Sequence, residues 1–208
     1  MKSVNNWSEA EVNRAESTWG YKTPQYTLDM FNFLTYGPTS WLDLGCGFGR
    51  FLDYLLPSSY EADYIGYDSS SAMIQRISER FPHYSSRIFL HKITDPINVN
   101  QQAILCSAVL IHITLEDQDK VLNNIKQANP LKAAFDINSP GENWLKRPEN
   151  HHFERFIKGA EGAFRMTWQS HYDFTWKILN LFPNYHLTTK YYDLKQSRNK
   201  VIYLLERR

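Results

Sequence analysis

The feature that most constrains the fold is a short apolar segment that runs directly into a glycine-rich turn. The segment reads Trp41-Leu42-Asp43-Leu44, and the turn after it has glycines at alternate positions, Gly45, Gly47 and Gly49. Glycine adopts backbone conformations that other residues avoid, so the chain can turn sharply there and lie close to a ligand. Apolar residues at helical spacing follow, which predicts a strand, a turn and a helix in succession.

The alternation of strand and helix continues beyond this turn. Short apolar runs predict further strands at 64–67, 87–91, 103–106 and 131–137, and amphipathic segments with capping residues lie between them. Repeated strand–helix units are typical of a parallel sheet with helices on both faces. The sequence therefore predicts an α/β fold for the central part of the chain.

The two flanks follow a different pattern. Residues 1–40 predict two helices, and residues 139–162, which contain several Pro and Gly, predict an irregular insertion. Further strands are predicted at 164–169, 186–194 and 200–205. A single domain with added edge elements fits this order better than two domains.

Composition excludes several classes of protein. The 23 Lys and Arg nearly balance the 22 Asp and Glu, which argues against a globally basic nucleic-acid binder. Hydrophobic residues make up 42% of the chain, enough for a packed core. The 2 cysteines do not form a disulfide framework, and no apolar run is long enough to span a bilayer. We therefore expect a cytoplasmic protein with no membrane partner.

Two acidic residues beside the turn indicate its ligand. A dinucleotide fingerprint needs Gly or Ala at the position that Arg50 occupies, and the carboxylate of Asp43 would repel a pyrophosphate. A carboxylate suits an ammonium or sulfonium instead. Asp68 ends the second strand, where an acid can accept both hydroxyls of a ribose. A cationic amino-acid end together with a ribose describes S-adenosylmethionine.

At these positions the chain resembles the class I S-adenosylmethionine-dependent methyltransferases. Residues 41–49 are similar to the first motif of that family, and residues 64–74 to its second strand and following helix. The resemblance covers residues 41–137 and implies a Rossmann-like, doubly wound sheet of seven mostly parallel strands, the last one antiparallel. It implies one domain over residues 1–208, made of a helical lid (1–40), a donor-binding core (41–138) and an acceptor-side insertion with closing strands (139–208).

The resemblance also implies a set of residues that bind the cofactor S-adenosylmethionine. They are Asp43, Gly45, Cys46, Gly47, Gly49, Asp68, Ser69, Met73, Thr94, Asp95 and Ser107. The chain departs from the family pattern at two places. It has Gln101-Gln102 where an acid usually begins the fourth strand, and Asn129-Pro130 where a Leu-x-Pro-Gly-Gly loop usually precedes the fifth.

Three residues are candidates for a catalytic base, which helps when the acceptor is a hydroxyl or an ammonium. His112 follows the fourth strand, Asp136 lies near the end of the fifth, and His171 lies in the tail. Each of them also has a structural alternative. A histidine can simply bond a main-chain carbonyl, and Asp136 can be the solvated end of a strand. The chain has no histidine pair at helical spacing and no clustered cysteines, so we expect no metal site.

The flanks supply the candidate acceptor residues, because the aromatic side chains concentrate there. We expect an acceptor wall from the flanking aromatics Trp19, Tyr21, Tyr26, Trp144, Trp168 and Tyr172, together with Asn138 at the end of the fifth strand. Residues 139–208 contain 12 Lys and Arg against 7 Asp and Glu, so an anionic acceptor is one interpretation and a solvated surface is another.

We predict methyl transfer to an oxygen or nitrogen of a small molecule. The segment after the fourth strand, Cys106-Ser107-Ala108-Val109, lacks the Pro-Pro motif of the enzymes that methylate exocyclic amines of nucleobases. An RNA or protein acceptor, and a donor-binding partner subunit without catalysis, remain as alternatives. The sequence leaves the oligomeric state open.

Overall fold

A mixed β-sheet forms the centre of the molecule. The computed structural model describes residues 7–19, 22–57, 62–147, 151–158, 163–194 and 199–208. The strands in these residues are β1 (Ser40–Leu44), β2 (Asp63–Asp68), β3 (Ile88–Leu90), β4 (Ala103–Cys106), β5 (Lys132–Ser139), β6 (His152–Lys158), β7 (Ala163–Gln169), β8 (Tyr185–Asp193) and β9 (Asn199–Arg207). The helices are α1 (Glu9–Trp19), α2 (Gln25–Thr35), α3 (Arg50–Leu55), α4 (Ser71–Arg80), α5 (Leu115–Ala128), α6 (Glu142–Leu145) and α7 (His171–Leu181).

The sheet has the topology that the resemblance implied. Strands β3, β2, β1, β4 and β5 lie side by side in that order and all pair in parallel. Strand β9 pairs antiparallel with β5, from Lys132 opposite Glu206 to Ser139 opposite Asn199, and β8 pairs antiparallel with β9. These seven strands confirm the prediction of a mostly parallel, Rossmann-like sheet with an antiparallel last strand.

Strands β6 and β7 form a hairpin that the sequence predicted only in part. The expectation of irregular structure throughout residues 139–162 was wrong, because this range contains helix α6 and strand β6. Among the described residues, strand β6 pairs only with β7, and none of the side chains at 152–157 is buried. A strand without a buried face lacks the apolar alternation by which strands are found in a sequence. The hairpin joins the main sheet where Asn138 lies opposite Trp168.

Helices cover both faces of the sheet, as a doubly wound fold requires. One face packs against α5 and α7, whose buried residues are Val121, Leu122, Ile125, Phe174 and Ile178. The other packs against α2, α3 and α4 through Met30, Phe31, Leu34, Phe51, Leu52 and Ile77. The carboxyl ends of the parallel strands therefore form one edge between two layers of helices, where ligands bind in open α/β sheets.

Three helices begin where the sequence predicts a cap. The hydroxyls of Ser70, Thr114 and Ser170 each accept a hydrogen bond from the main-chain N–H three residues further on, at 3.2, 3.1 and 3.3 Å. Each bond satisfies a donor that the first turn of a helix leaves unpaired. None of the described helices has the length and hydrophobicity needed to cross a membrane.

Candidate active site

The glycine turn after β1 has a backbone that only glycine adopts without strain. The φ angles of Gly45, Gly47 and Gly49 are +83°, +52° and +88°. A Cβ at Gly45 would lie 2.2 Å from Cγ2 of Val109, and a Cβ at Gly49 would lie 2.7 Å from a ring carbon of Phe81. Two of the three glycines are therefore also required by close packing.

The middle glycine instead faces open space. A Cβ at Gly47 would meet only the sulfur of Met73, at 4.0 Å. The main chain of the turn is therefore accessible at the carboxyl end of β1, and a ligand can approach it without a side chain in between. This cradle fits the amino-acid and ribose part of S-adenosylmethionine.

Asp68 ends β2 and holds the turn in place. One carboxylate oxygen accepts the N–H of Gly47 at 2.9 Å, and the other accepts the N–H of Ser70 at 2.9 Å. Burial raises the pKa of Asp68, and these main-chain hydrogen bonds oppose the increase. A carboxylate has about four acceptor positions, so the two bonds leave positions for ribose hydroxyls. Ser69, the next residue, is partly exposed at the same edge.

Asp43 is a buried acid beneath the turn. It is the fourth of the five residues of β1, is 4% exposed, and accepts a hydrogen bond from the Tyr64 hydroxyl at 3.1 Å. The pKa of Asp43 is raised to about 7, chiefly by burial and also by the charge of Asp68, while the hydrogen bond from Tyr64 and the positive charge of Arg50 oppose the increase. Burial also raises the pKa of the Cys46 thiol, which gives it no nucleophilic character. A cationic ligand group beside Asp43 would favour its ionised form.

The loops after β3 and β4 bring the other predicted cofactor residues to the same edge. The side-chain amide of Asn124 in α5 donates to the carbonyls of Thr94 and Asp95, at 3.0 and 2.8 Å. Ser107 is partly exposed at the end of β4. Ala108 follows with a φ of +57°, which is rare for a residue with a Cβ. Strained backbone of this kind is common at functional sites.

Asp136 holds that strained residue through its carboxylate. One oxygen accepts the N–H of Ala108 at 2.5 Å, and the other forms an ion pair with the buried Lys200. Asp136 is 0% exposed, so the alternative of a solvated strand end was wrong. The ring of Tyr26 lies 5.5 Å from the Lys200 ammonium, and burial with the nearby charge of Asp136 raises the pKa of Tyr26 to about 12.

His112 lies in the segment after β4 with one ring nitrogen fixed. Its Nδ1 is 3.0 Å from the main-chain carbonyl of Arg165 in β7. Because a carbonyl can only accept, the proton of the neutral ring is on Nδ1, and Nε2 carries the lone pair. Burial lowers the pKa of His112 to about 4, although the bond to Arg165 favours the charged form. The ring of Trp7 meets it edge-on at 5.8 Å.

His171 belongs to a different group of contacts. Its Nδ1 is 3.0 Å from the hydroxyl of the fully buried Ser139, at the end of β5. Its ring packs against Tyr172 at 4.0 Å and Tyr191 at 5.4 Å. Burial lowers the pKa of His171. The structure therefore places His171 between β5, α7 and β8, whereas His112 contacts β7 and the N-terminal segment.

The predicted acceptor wall is only partly assembled. Trp168 is buried and stacks on Phe153 at 5.2 Å, while Asn138 is buried and donates to the carbonyl of Thr167 at 3.4 Å. Tyr172 is 60% exposed. Of the predicted aromatics, Tyr26 has the most direct link to the site, through Lys200 and Asp136. The side chains of Trp19 and Trp144, and the whole of Tyr21, lie outside the described residues.

Arg50 is the site residue that the sequence reasoning missed. It begins α3 directly after the glycine turn, and its positive charge lowers the pKa of both Asp43 and Tyr26. The signal was present in the sequence, because a cation followed the third glycine. Within the described residues, no group of three or more His, Cys, Asp or Glu could hold a metal ion.

A model of the methyltransferase domain matches residues 42–129 of this chain. A protein of Mycobacterium tuberculosis that is named as a methyltransferase, Rv1506c, is 40% identical over 53 residues, which are 26% of this chain and 32% of that protein. The match thus spans about a third of the curated relative.

Solved structures extend the similarity to the whole fold. An S-adenosylmethionine-dependent methyltransferase of Clostridium acetobutylicum has a TM-score of 0.61 at 15% identity and covers 93% of this chain and 96% of its own. Magnesium protoporphyrin IX methyltransferase of Synechocystis, with S-adenosylmethionine bound, has a TM-score of 0.62 at 13% identity, covering 94% and 83%. These structures show that the chain has the fold of S-adenosylmethionine-dependent methyltransferases, and the sheet order is the one that the resemblance implied.

Proposed function

We propose that this protein transfers a methyl group from S-adenosylmethionine to an oxygen or nitrogen of a small molecule, with His112 as the general base. The observation that carries the proposal is the fixed tautomer of His112. Its Nδ1 donates to the carbonyl of Arg165, so Nε2 is the basic atom. The lowered pKa keeps the ring neutral near pH 7, which is the form that a general base requires.

The residues around the glycine turn would hold the donor. Gly47 offers open main chain, Asp68 would accept the ribose hydroxyls, and Asp43 would balance positive charge. When bound, S-adenosylmethionine supplies a methyl group that its sulfonium already activates. The protein then needs mainly to position the acceptor and to remove its proton. His112 would take that proton at Nε2.

The N-terminal helix supports the assignment of residues 1–40 as a lid. Val12 and Ala15 of α1 pack against Phe48 of the turn and Met73 of α4. The carbonyl of Trp7 accepts a hydrogen bond from the Ser70 hydroxyl at 2.5 Å, while its ring meets His112. The N-terminal segment thus bridges the loops after β2 and β4.

A covered cleft favours a small acceptor over a polymer. Helix α1 lies over the turn, and the β6–β7 hairpin contacts the segment after β4 through Arg165 and Thr167. Sites that enclose their ligand in this way are typical for small molecules. The Synechocystis neighbour, whose acceptor is a protoporphyrin, is a small-molecule methyltransferase with the same fold.

The test begins with a screen for labelled-methyl transfer over pools of small molecules and RNA. With the acceptor found, His112→Asn is the decisive variant, because its side-chain amide can still donate to the carbonyl of Arg165 but has no basic nitrogen. We expect turnover to fall roughly 100- to 10,000-fold while donor affinity is unchanged. His112→Ala serves as the comparison, because it loses both the hydrogen bond to Arg165 and the basic nitrogen.

If His112→Asn turned over as fast as the wild type, only the hydrogen bond to Arg165 would matter. That result would contradict the role of His112 as the general base. Transfer to RNA alone, with none to small molecules, would contradict the acceptor class.

A further inference from the structure

Two alternate residues of β7 hold the short segment that carries His112. This segment is a 3₁₀ turn, Leu110–His112, and we call it the His112 turn. The carbonyl of Arg165 lies 3.0 Å from Nδ1 of His112, and the hydroxyl of Thr167 donates to the carbonyl of Ile113 at 3.1 Å. The position of the imidazole therefore depends on how β7 lies against this turn.

Gln118 of α5 connects β7 to the same turn a third time. Its side-chain nitrogen donates to the carbonyl of Leu110 at 2.8 Å, and its side-chain oxygen accepts a hydrogen bond from the amide of Gln169 in β7 at 3.0 Å. Because a carbonyl can only accept, the nitrogen of Gln118 must face Leu110, and its oxygen must face Gln169. The two amides thus form a directed chain from β7 to the His112 turn.

The burial of this chain indicates what it contributes. Gln118 is 0% exposed and Gln169 is 7% exposed, and the other buried residues of α5 are the apolar Val121, Leu122 and Ile125. A hydrogen bond inside the protein replaces one to water, so an apolar pair of similar shape would stabilise the fold about as well. What an apolar pair cannot do is fix the direction of the Leu110 carbonyl.

We propose that Gln118 is a positioning residue for methyl transfer. It fixes the His112 turn through the carbonyl of Leu110, and through Gln169 it keeps β7 where the carbonyl of Arg165 accepts the Nδ1 proton. This inference rests on the proposed function, in which His112 is the general base. Gln118 acts through the turn, so it is not itself a catalytic residue.

Replacing both amides by methionine separates position from stability. In Gln118→Met/Gln169→Met two apolar side chains of similar length take the place of the bonded pair, so we expect the protein to remain folded while the Leu110 carbonyl loses its donor. Asn123→Met is the matched control, because that amide is exposed on the same helix and donates to the carbonyl of Asp119. Gln169→Met alone keeps the donor to Leu110 and is the milder second variant.

Nitrogen NMR of the His112 imidazole reads the tautomer directly and needs no acceptor. The wild type and Asn123→Met should carry the proton on Nδ1, whereas the double variant should show a mixture of both tautomers and Gln169→Met a smaller change in the same direction. With the acceptor found, turnover of the double variant should fall roughly 10- to 100-fold, because a misplaced base works poorly. Its affinity for S-adenosylmethionine should stay within a few-fold of the wild type.

A wild-type His112 spectrum in the folded double variant would overturn the proposal, whatever its turnover. A changed spectrum with wild-type turnover would overturn it as well, because the position of the ring would then not matter for the reaction. His112→Asn distinguishes these results from a failure of the proposed function. If that variant is slow while the double variant is fast, only the positioning role is wrong; if both are fast, the general base itself is wrong.

Discussion

Asp43 sits in β1 at a position that most soluble folds give to an apolar residue. It is buried between β2 and β4, and one hydroxyl, that of Tyr64, bonds to it. Its pKa of about 7, against 3.8 in an unfolded chain, means that the folded protein binds the proton more tightly. The stability that the protonated form contributes is complete below pH 3.8 and is lost as the pH rises through 7.

The direction of this pH dependence leads to a prediction for Asp43→Asn, whose side chain cannot ionise. The wild type should lose roughly 2–3 kcal/mol of unfolding free energy between pH 5 and pH 8 through this group, and the variant should not. Chemical unfolding of both proteins at the two pH values measures the difference. Parallel changes in the two proteins would show that Asp43 is solvated and has an ordinary pKa.

Single residues were predictable where chemistry and spacing both constrained them. Gly45, Gly47, Gly49 and Asp68 could be assigned because the turn and the strand ends define their places. The environment of His112 could not, because its partner, Arg165, is 53 positions away on a hairpin that the sequence only half revealed. A contact of that separation depends on the tertiary fold and leaves no local pattern.

At the scale of elements, one buried network joins four segments around the site. Lys200 of β9 pairs with Asp136 of β5, which holds the left-handed Ala108 after β4, and Tyr26 of α2 covers the ammonium. Val109, next to Ala108, is the residue that would collide with any side chain at position 45. The ion pair thus helps to fix the floor of the site against the glycine turn.

Removing one partner of this ion pair should lower the free energy of unfolding much more than replacing both partners. In Lys200→Met the carboxylate of Asp136 is left buried and unpaired, which we expect to destabilise the protein by roughly 3–5 kcal/mol in thermal or chemical unfolding. The double variant with Asp136→Asn keeps an acceptor for the N–H of Ala108 and should recover most of this loss. A Lys200→Met protein as stable as the wild type would show that water reaches the carboxylate.

The elements themselves were predictable wherever a strand or helix has a buried face. Strand β4 was found at its observed bounds, Ala103–Cys106, because all four residues are buried and apolar. Strand β6 was missed because its pairing with β7 is stabilised by cross-strand contacts such as the stacked rings of Phe153 and Trp168. Such pairs are visible only after the two strands are aligned.

Over the whole molecule, the uneven charge of the sequence is partly balanced by ion pairs between the two parts of the chain. Residues 139–208 contain 12 Lys and Arg against 7 Asp and Glu. Several of these cations pair with acids of the preceding part: Lys177 with Asp119, Lys190 with Asp29, and Lys200 with Asp136. The pairing with Lys190 lowers the pKa of Asp29 to about 2. The basic C-terminal part thus serves in part to hold the closing strands and α7 to the core, which weakens the case for a polyanionic acceptor.

Binding of S-adenosylhomocysteine, measured by calorimetry, tests the donor site most directly. The comparison uses the wild type, Asp68→Ala, and Ser70→Ala as a control that removes the cap of α4 and the hydrogen bond to the carbonyl of Trp7 but keeps the carboxylate. We predict that Asp68→Ala loses roughly 100-fold or more in affinity because it has no acceptor for the ribose hydroxyls, while Ser70→Ala binds within a few-fold of the wild type. A folded Asp68→Ala protein that binds with wild-type affinity would contradict the assignment of this edge of the sheet as the donor site.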